Sequence, residues 1–443
     1  MNRIAYTPPE VEGSPPSAAV RARSIQIHGL RWWIALALMG VTVVNYLDRA
    51  SLSVAAPVLK TRLGIDEVGF SHVVIAFQIA YLVMQPVSGR VIDWLDVRVG
   101  LAISIVWWSV AQMLTALAGG APAFAFLRAL LGVGEAGAFP GAARAIALWF
   151  RPRERTLATG VVNVGSGVGA LLAPPLVVLL ILRWGWQSAF VVTGAIGLGW
   201  VVVWLLVYRD PSEHPWMSAE ERAFIAGGRE ELAVEETAGG GVWRGVLSRR
   251  RFWAIAVARF LSEPAWQFFT YWIPLYLATE RGLRLKEIAY FAWLPFVAAD
   301  LGSVFGGVLS PLFVRLGSPV LRARKLAATV SAVLMVCAVF IGHASTVAWA
   351  VFYFCVGAFA HQSMSSTLLT LPSDVFPRAL VATANGLSGT VGMTGGMLFT
   401  LVVGIVAKRI GYGPIFVAIA VFDLVGAAFL WMLLPEEPAK GRA

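Results

Sequence analysis

Residues Gln187 to Tyr208 read QSAFVVTGAIGLGWVVVWLLVY, 22 positions without one charged side chain. Wound as a helix that rises about 1.5 Å per residue, this stretch is long enough to cross a hydrocarbon layer about 30 Å thick. Segments of the same kind flank it on both sides. Before it come 31–57, 69–92, 99–119, 122–149 and 156–181; after it come 252–278, 287–314, 323–342, 345–371, 380–406 and 412–434. The pattern predicts an all-α integral membrane protein of twelve spans. Composition agrees, because 58% of the 443 residues are hydrophobic and 14% are charged, against roughly 25% charged in a soluble chain.

Residues 209–251 are the one long hydrophilic stretch, with seven basic and eight acidic residues. They divide the chain into a six-helix half at 31–208 and a second at 252–434, joined by a central loop. Ser218 followed by Glu221 matches a capping box and predicts an interfacial or soluble helix from Ala219 to about Leu232. Gly239, Gly240 and Gly241 predict a flexible link. Residues 1–30 hold Pro8, Pro9, Pro15 and Pro16 with no short apolar core, and read as a disordered tail rather than a cleaved leader; 435–443 form a second tail.

The formal charge of +10 admits a nucleic-acid partner until the basic residues are placed. They gather on the termini, the central loop and the loops that share their side. By the positive-inside rule that side is cytoplasmic, so the excess reports topology in a cytoplasmic (inner) membrane with both termini inside. Cys337 and Cys355 lie in separate apolar spans, where they read as small buried hydrophobes without a disulfide or metal framework. Gly132, Gly134 and Gly137 spell a dinucleotide-binding pattern, but inside an unbroken apolar helix with no strand before it they carry no such meaning.

The halves echo each other. Phe150, Arg151 and Pro152 precede Ala158 and Thr159; Phe376, Pro377 and Arg378 precede Ala382 and Thr383. Gly160, Gly165, Gly167 and Gly169 in the fifth span correspond to Gly386, Gly389, Gly392, Gly395 and Gly396 in the eleventh. Small residues let helices approach closely, and repeats of this kind build carriers with a site between rocking halves.

An ionisable group inside a span costs at least about 2.5 kcal/mol, so each needs a partner, water or a task. Asp48, Arg49, Arg128, Glu135, Arg144, Arg259, Glu263, Asp300 and Asp423 are such groups. Asp48 and Arg49 are adjacent, and adjacent helical positions point about 100° apart, so they are expected to serve different partners. Arg128, Gly132 and Glu135 fall at i, i+4 and i+7, which places a cation and an acid on one helix face about 10.5 Å apart. Arg49 and Arg128 lie at comparable depths, and two guanidinium forks suit a carboxylate; the expected substrate is an organic anion. A buried carboxylate whose neighbours change during transport loads and unloads a proton, for which Asp48 and Glu135 are the candidates. The alternative for both pairs is a static salt bridge. Arg259 and Glu263, at i and i+4, are expected to pair with each other, and Asp423 has no evident partner. Tyr46, Tyr81, Asn163, Gln267, His361, Gln362 and Asn385, together with Asn45 and Gln85, supply groups suited to a polyol. Trp266 and Trp272 offer faces for a sugar ring.

These residues carry a resemblance. Asn45-Tyr46-Leu47-Asp48-Arg49, Gly89 with Asp93 and Arg98, Arg128-Ala129-Leu130-Leu131-Gly132-Val133-Gly134-Glu135-Ala136, and Trp149-Phe150 leading to Glu154-Arg155 resemble the anion:cation symporter branch of the major facilitator superfamily. In the second half, Arg259 to Trp266, Lys286-Glu287-Ile288-Ala289, Phe291-Ala292-Trp293, Ala360-His361-Gln362, Ser373-Asp374-Val375-Phe376 and Ala382 to Leu387 resemble hexuronate transporters. The resemblance implies the twelve-helix superfamily fold and proton symport of glucuronate or galacturonate, driven by the proton gradient without a cofactor and by a monomer. It makes Gly89, Asp93, Arg98, Glu154 and Arg155 gating residues, although Asp96 stands where glycine is usual. Other organic anions, a transporter-like sensor and a membrane-embedded enzyme are the competing readings; no metal-ligand cluster or Ser/His/Asp set supports the last.

Overall fold

The computed structural model describes residues 26–65, 67–227, 242–273, 276–277, 280–283, 291 and 293–435. The tails before 26 and after 435, the Gly239–Gly241 run and the Lys286–Ala289 motif lie outside the described residues, as does part of the seventh predicted span.

The helices are α1 (Leu30–Leu63), α2 (Glu67–Leu95), α3 (Val97–Leu114), α4 (Ala121–Glu135), α5 (Ala138–Trp149), α6 (Arg155–Trp184), α7 (Trp186–Val207), α8 (Ala219–Gly227), α9 (Val242–Leu247), α10 (Arg250–Tyr271), α11 (Leu294–Arg315), α12 (Val320–Met335), α13 (Val347–Val375), α14 (Val381–Ile410) and α15 (Gly413–Leu433). Among the described residues, eleven helical stretches are long and apolar enough to cross a membrane. The predicted seventh span is α10, which falls below that apolarity because Arg250, Arg251, Arg259 and Glu263 share it. The predicted fourth span is broken just past its middle: α4 ends at Glu135 and α5 starts at Ala138.

Helix pairing repeats between halves. In the first, α1 packs on α6, α2 on α4 and α3 on α7; in the second, α10 packs on α14, α11 on α13 and α12 on α15. The halves meet where α2 crosses α14 and α6 crosses α11. Glycine makes both crossings possible. A Cβ on Gly89 or Gly386 would strike the backbone carbonyl of Ala382 or Gln85, and one on Gly160 would lie 2.6 Å from Ser303 O. The exterior is apolar, with Leu182 and Leu117 about four-fifths exposed, while Asn45, Asp48 and Glu135 are fully buried. This inversion of the soluble pattern suits a bundle whose solvent is lipid.

Half of the expected capping box forms: Ser218 Oγ accepts from Glu221 N at 3.1 Å, while the Glu221 carboxylate turns to α1 instead of Ser218 N. The α8 it starts straps the first half. Glu221 accepts from Leu30 N at 2.9 Å and pairs with Arg31 at 2.8 Å, which supplies α1 with the acid its N-terminus favours. Arg151 stacks 3.6 Å from the Phe224 ring. His214 holds the end of α7 through Val207 O at 2.9 Å, and burial pushes its imidazole pKa down.

Asp96 joins α2 to α3 at φ 82°, ψ 154°, a region essentially reserved for glycine, where other residues carry about 1–3 kcal/mol of strain. Its side chain accepts only a long bond, 3.4 Å, from Arg98 N. Asp96→Gly is therefore expected to raise the thermal midpoint of the purified protein, by about 1 kcal/mol of stability; a lowered midpoint would show that the cap outweighs the strain.

Candidate functional site

The site is built on α1. Arg49 Nε donates to Glu135 Oε2 at 2.6 Å, pairing α1 with the last residue of α4. Three rings surround the guanidinium: Tyr81 at 4.7 Å, Phe77 at 5.1 Å and Tyr46 at 5.3 Å. Aromatic faces stabilise a cation without consuming its donors. Glu135 is fully enclosed whereas the Arg49 side chain is 25% exposed, and Arg49 Nη2 has no hydrogen-bond partner among the described residues. Arg49 thus spends one edge of its fork on Glu135 and keeps the other.

Asp48, one position earlier, points about 100° away from Arg49. Its backbone carbonyl accepts from Arg128 Nη1 at 3.2 Å and Gln112 Nε2 at 3.5 Å. Its carboxylate is fully buried, with the Thr193 hydroxyl beside it and no hydrogen bond of strict geometry from a described group to either oxygen. Arg128 is 2% exposed, lies 5.5 Å from the Phe190 ring and leaves Nε and Nη2 without partners. Arg49 and Arg128 both lie within electrostatic reach of Glu135, Arg49 through a direct ion pair and Arg128 while bonded to the Asp48 carbonyl. Asn45, Asp48, Arg128 and Glu135 all carry buried polar atoms without a hydrogen bond of strict geometry, although Asn45 stands beside Glu135 and Thr193 beside Asp48.

Across the interface, Arg259 does not follow the expected i, i+4 pairing. Its Nη1 donates to Asn385 O at 3.2 Å and Ser388 Oγ at 3.0 Å on α14. Glu263 lies within electrostatic reach of both Arg259 and Arg49, so the two halves share one charged centre. Gln267 is buried beside Glu263 against Gly396, where a Cβ would meet Gln267 Cγ at 2.6 Å. Asn163 Nδ2 reaches Ser366 Oγ at 3.4 Å, and Asn385 Nδ2 reaches Leu369 O at 3.3 Å. Both asparagines line a small pocket with Phe139, Ala142, Ala143 and Thr159. This pocket starts about a turn beyond Glu135 along the chain, and Arg49 is not among its lining residues. His361 is buried and stacks on Trp266 at 5.8 Å; Gln362 beside it is buried too.

The residues expected to gate divide into two groups. Asp93 reaches across the halves, accepting from Thr383 N at 2.7 Å, Thr383 Oγ1 at 2.6 Å and Ala382 N at 3.3 Å, and so caps α14. Arg155 pairs with Asp374 at 2.9 Å, also across the halves. Glu154 and Arg98 remain within the first half, on Arg31 at 3.1 Å and Leu205 O at 2.6 Å. The sequence reading missed Arg324, which shares Asp374 at 2.9 Å and donates to Pro152 O. Its signal was a fully buried charge at the start of a span. These contacts shut the bundle at the end that carries Asp96, Pro152 and Pro377.

A family model described as Major Facilitator Superfamily matches residues 38–400. The chain belongs to that superfamily. It is therefore a multi-pass membrane transporter and not an enzyme. It is 44% identical over 416 residues to the "Hexuronate transporter" of Escherichia coli (strain K12), covering 94% of this chain and 96% of that one. To the "Galacturonate transporter" of Dickeya chrysanthemi it is 41% identical over 317 residues, 70% of this chain and 90% of that one. The solved structure of the proton:xylose symporter XylE shares the superfamily fold, with a TM-score of 0.73 at 16% identity over 92% of this chain and 96% of that one.

Proposed function

We propose that the protein is a proton-coupled symporter of hexuronates such as galacturonate and glucuronate. The observation that carries the coupling is the Arg49–Glu135 pair, in which one guanidinium serves a buried acid and keeps unused donors. While Glu135 is ionised it competes with substrate for Arg49. Once Glu135 takes a proton, Arg49 is left a cation among aromatic rings, and a carboxylate restores neutrality. Proton and anion then enter together as a neutral load, which is the cheapest way to move charge through a low-dielectric bundle. Asp48 and Arg128 lie within electrostatic reach of Glu135 and bias this pair. Tyr46, Tyr81, Asn163, Gln267, His361, Gln362 and Asn385 supply hydroxyl contacts around the sugar ring.

Release follows from rocking of the halves, 31–208 against 252–434, with 209–251 as the link. The positive-inside distribution puts both termini and the closed end at the cytoplasm of the inner membrane. In that orientation the Asp93, Arg155 and Arg324 contacts form the inner gate. A single chain contains both halves of the site, so a monomer suffices.

The test is labelled galacturonate in proteoliposomes. Wild type accumulates it when a proton gradient is imposed, and unlabelled glucuronate competes. Glu135→Gln keeps galacturonate exchange but loses gradient-driven accumulation. Accumulation that ignores the gradient, or full coupled uptake by the variant, sinks the coupling; failure of both uronates to compete sinks the substrate class.

A further inference from the structure

Three helices of the second half meet in register. Gly426 on α15 packs against Ala258 of α10 and Met364 of α13; a Cβ there would lie 3.4 Å from Ala258 O and 3.5 Å from Met364 Cε. One helical turn along, the same three helices present Asp423, Ser262 and His361. Asp423 is fully buried and no described group hydrogen-bonds either of its oxygens under strict geometry. The Ser262 hydroxyl stands beside it. Ser262 Oγ in turn lies 3.4 Å from His361 Nδ1, and the His361 ring stacks on half-buried Trp266 at an interplanar angle of 15°. An acid, a hydroxyl and an imidazole thus follow one another from the interior of α15 to the ring beside Trp266.

Among the described residues, no cation is recorded acting on Asp423. On α10, Arg259 serves Asn385 and Ser388 and Glu263 faces Arg259 and Arg49. On α12, Arg324 serves Asp374 and Lys325 lies 5.0 Å from the Trp431 ring, two turns beyond Asp423. The 3-10 turn Val336–Ile341 brings only Cys337, and α13 brings His361. A lone carboxylate in such surroundings is far costlier than a carboxylic acid with one hydrogen bond.

We propose that a neutral Asp423 donates to Ser262 and that Ser262 donates to His361 Nδ1, a buried string that fixes His361 as an Nε2–H donor. The string makes Asp423 and Ser262 positioning residues: they touch no substrate, but choose which imidazole nitrogen carries the hydrogen. Removal of the Asp423 proton would turn the Ser262 hydroxyl back toward the carboxylate and release the tautomer. That Nε2–H is offered to a sugar-acid oxygen rests on the hexuronate reading; the tautomer itself does not.

The tautomer is read by nitrogen-15 NMR of histidine-labelled full-length protein in detergent, with His361 assigned by loss of its signals in His361→Gln. Substrate-free wild type is expected to give one set of shifts with Nδ1 unprotonated. Ser262→Ala and Asp423→Leu lose that single tautomer, while Asp423→Asn, which keeps a neutral donor, retains it. In proteoliposomes Ser262→Ala raises KM about threefold to tenfold at unchanged kcat, the effect of one neutral hydrogen bond. A wild-type His361 with hydrogen on Nδ1, or an Asp423→Asn spectrum matching Asp423→Leu, overturns the string. If the spectra agree while wild type carries no uronate, the transport reading fails and the string stands.

Discussion

Asp374→Ala should open the closed end of the bundle. Asp374 is the acid shared by Arg155 and Arg324, each at 2.9 Å, and its side chain and those two arginines are between 0% and 8% exposed. Its removal leaves two buried guanidiniums close together without an anion. Breaking a buried pair in this way costs about 3–5 kcal/mol. The cost falls on this arrangement alone, since separation of the halves lets the arginines reach solvent. A shift of that size moves the balance between closed and open forms by roughly 10²- to 10⁴-fold. Spin labels at the exposed positions Arg153 and Ala379, with Cys337 and Cys355 replaced, would report it as a longer distance between halves. Asp374→Glu should restore the short distance. An unchanged distribution in Asp374→Ala would mean that the Asp93 cap on α14 holds the end closed by itself.

The second large effect is expected at Arg49. Arg49→Ala removes the guanidinium paired with Glu135, and two charge-assisted hydrogen bonds to a carboxylate at about 1.5–3 kcal/mol each predict a loss of uronate kcat/KM of at least roughly 100-fold. Arg49→Lys keeps the charge but not the fork, so it cannot serve Glu135 and a substrate carboxylate at once; it should recover stability more than transport. Arg49→Ala also strands Glu135 in the interior and should lower the thermal midpoint. In a Glu135→Gln background the same substitution should cost much less stability, a coupling a double-mutant cycle measures. Additive stability losses would show that the two side chains do not act as a pair, and galacturonate KM and kcat unchanged in Arg49→Ala would remove Arg49 from the site.

The legible parts of this protein are those that a helix writes in one dimension. Apolar length marked the spans, and the offset between the Phe150–Thr159 and Phe376–Thr383 stretches marked the repeat. The charges at Asp48, Arg49, Arg128 and Glu135 stood out because a lipid-facing helix does not tolerate them. Their spacing also separated Asp48 from Arg49. The Ser218–Glu221 cap was readable because it is local, and the structure forms it.

Other features were invisible for an equally physical reason. Periodicity assigns a residue to a face of its own helix, but not the rotation of that helix against its neighbours. So Arg49 takes Glu135 while Arg128, alike in depth along the chain, takes the Asp48 carbonyl, and Arg259 passes over Glu263 to reach α14. Asp374 was one acid in a family motif until the fold set it between Arg155 and Arg324, residues 219 and 50 positions away. Asp423 had no partner in its own span because its neighbours come from two other helices, in a layer that exists only after α10, α13 and α15 pack. The sequence by itself determined a membrane bundle of two related halves with a set of ionisable groups inside it. Which charges meet was decided only by the tertiary structure, because a desolvated charge is stabilised by groups within a few ångströms in space, wherever they lie along the chain.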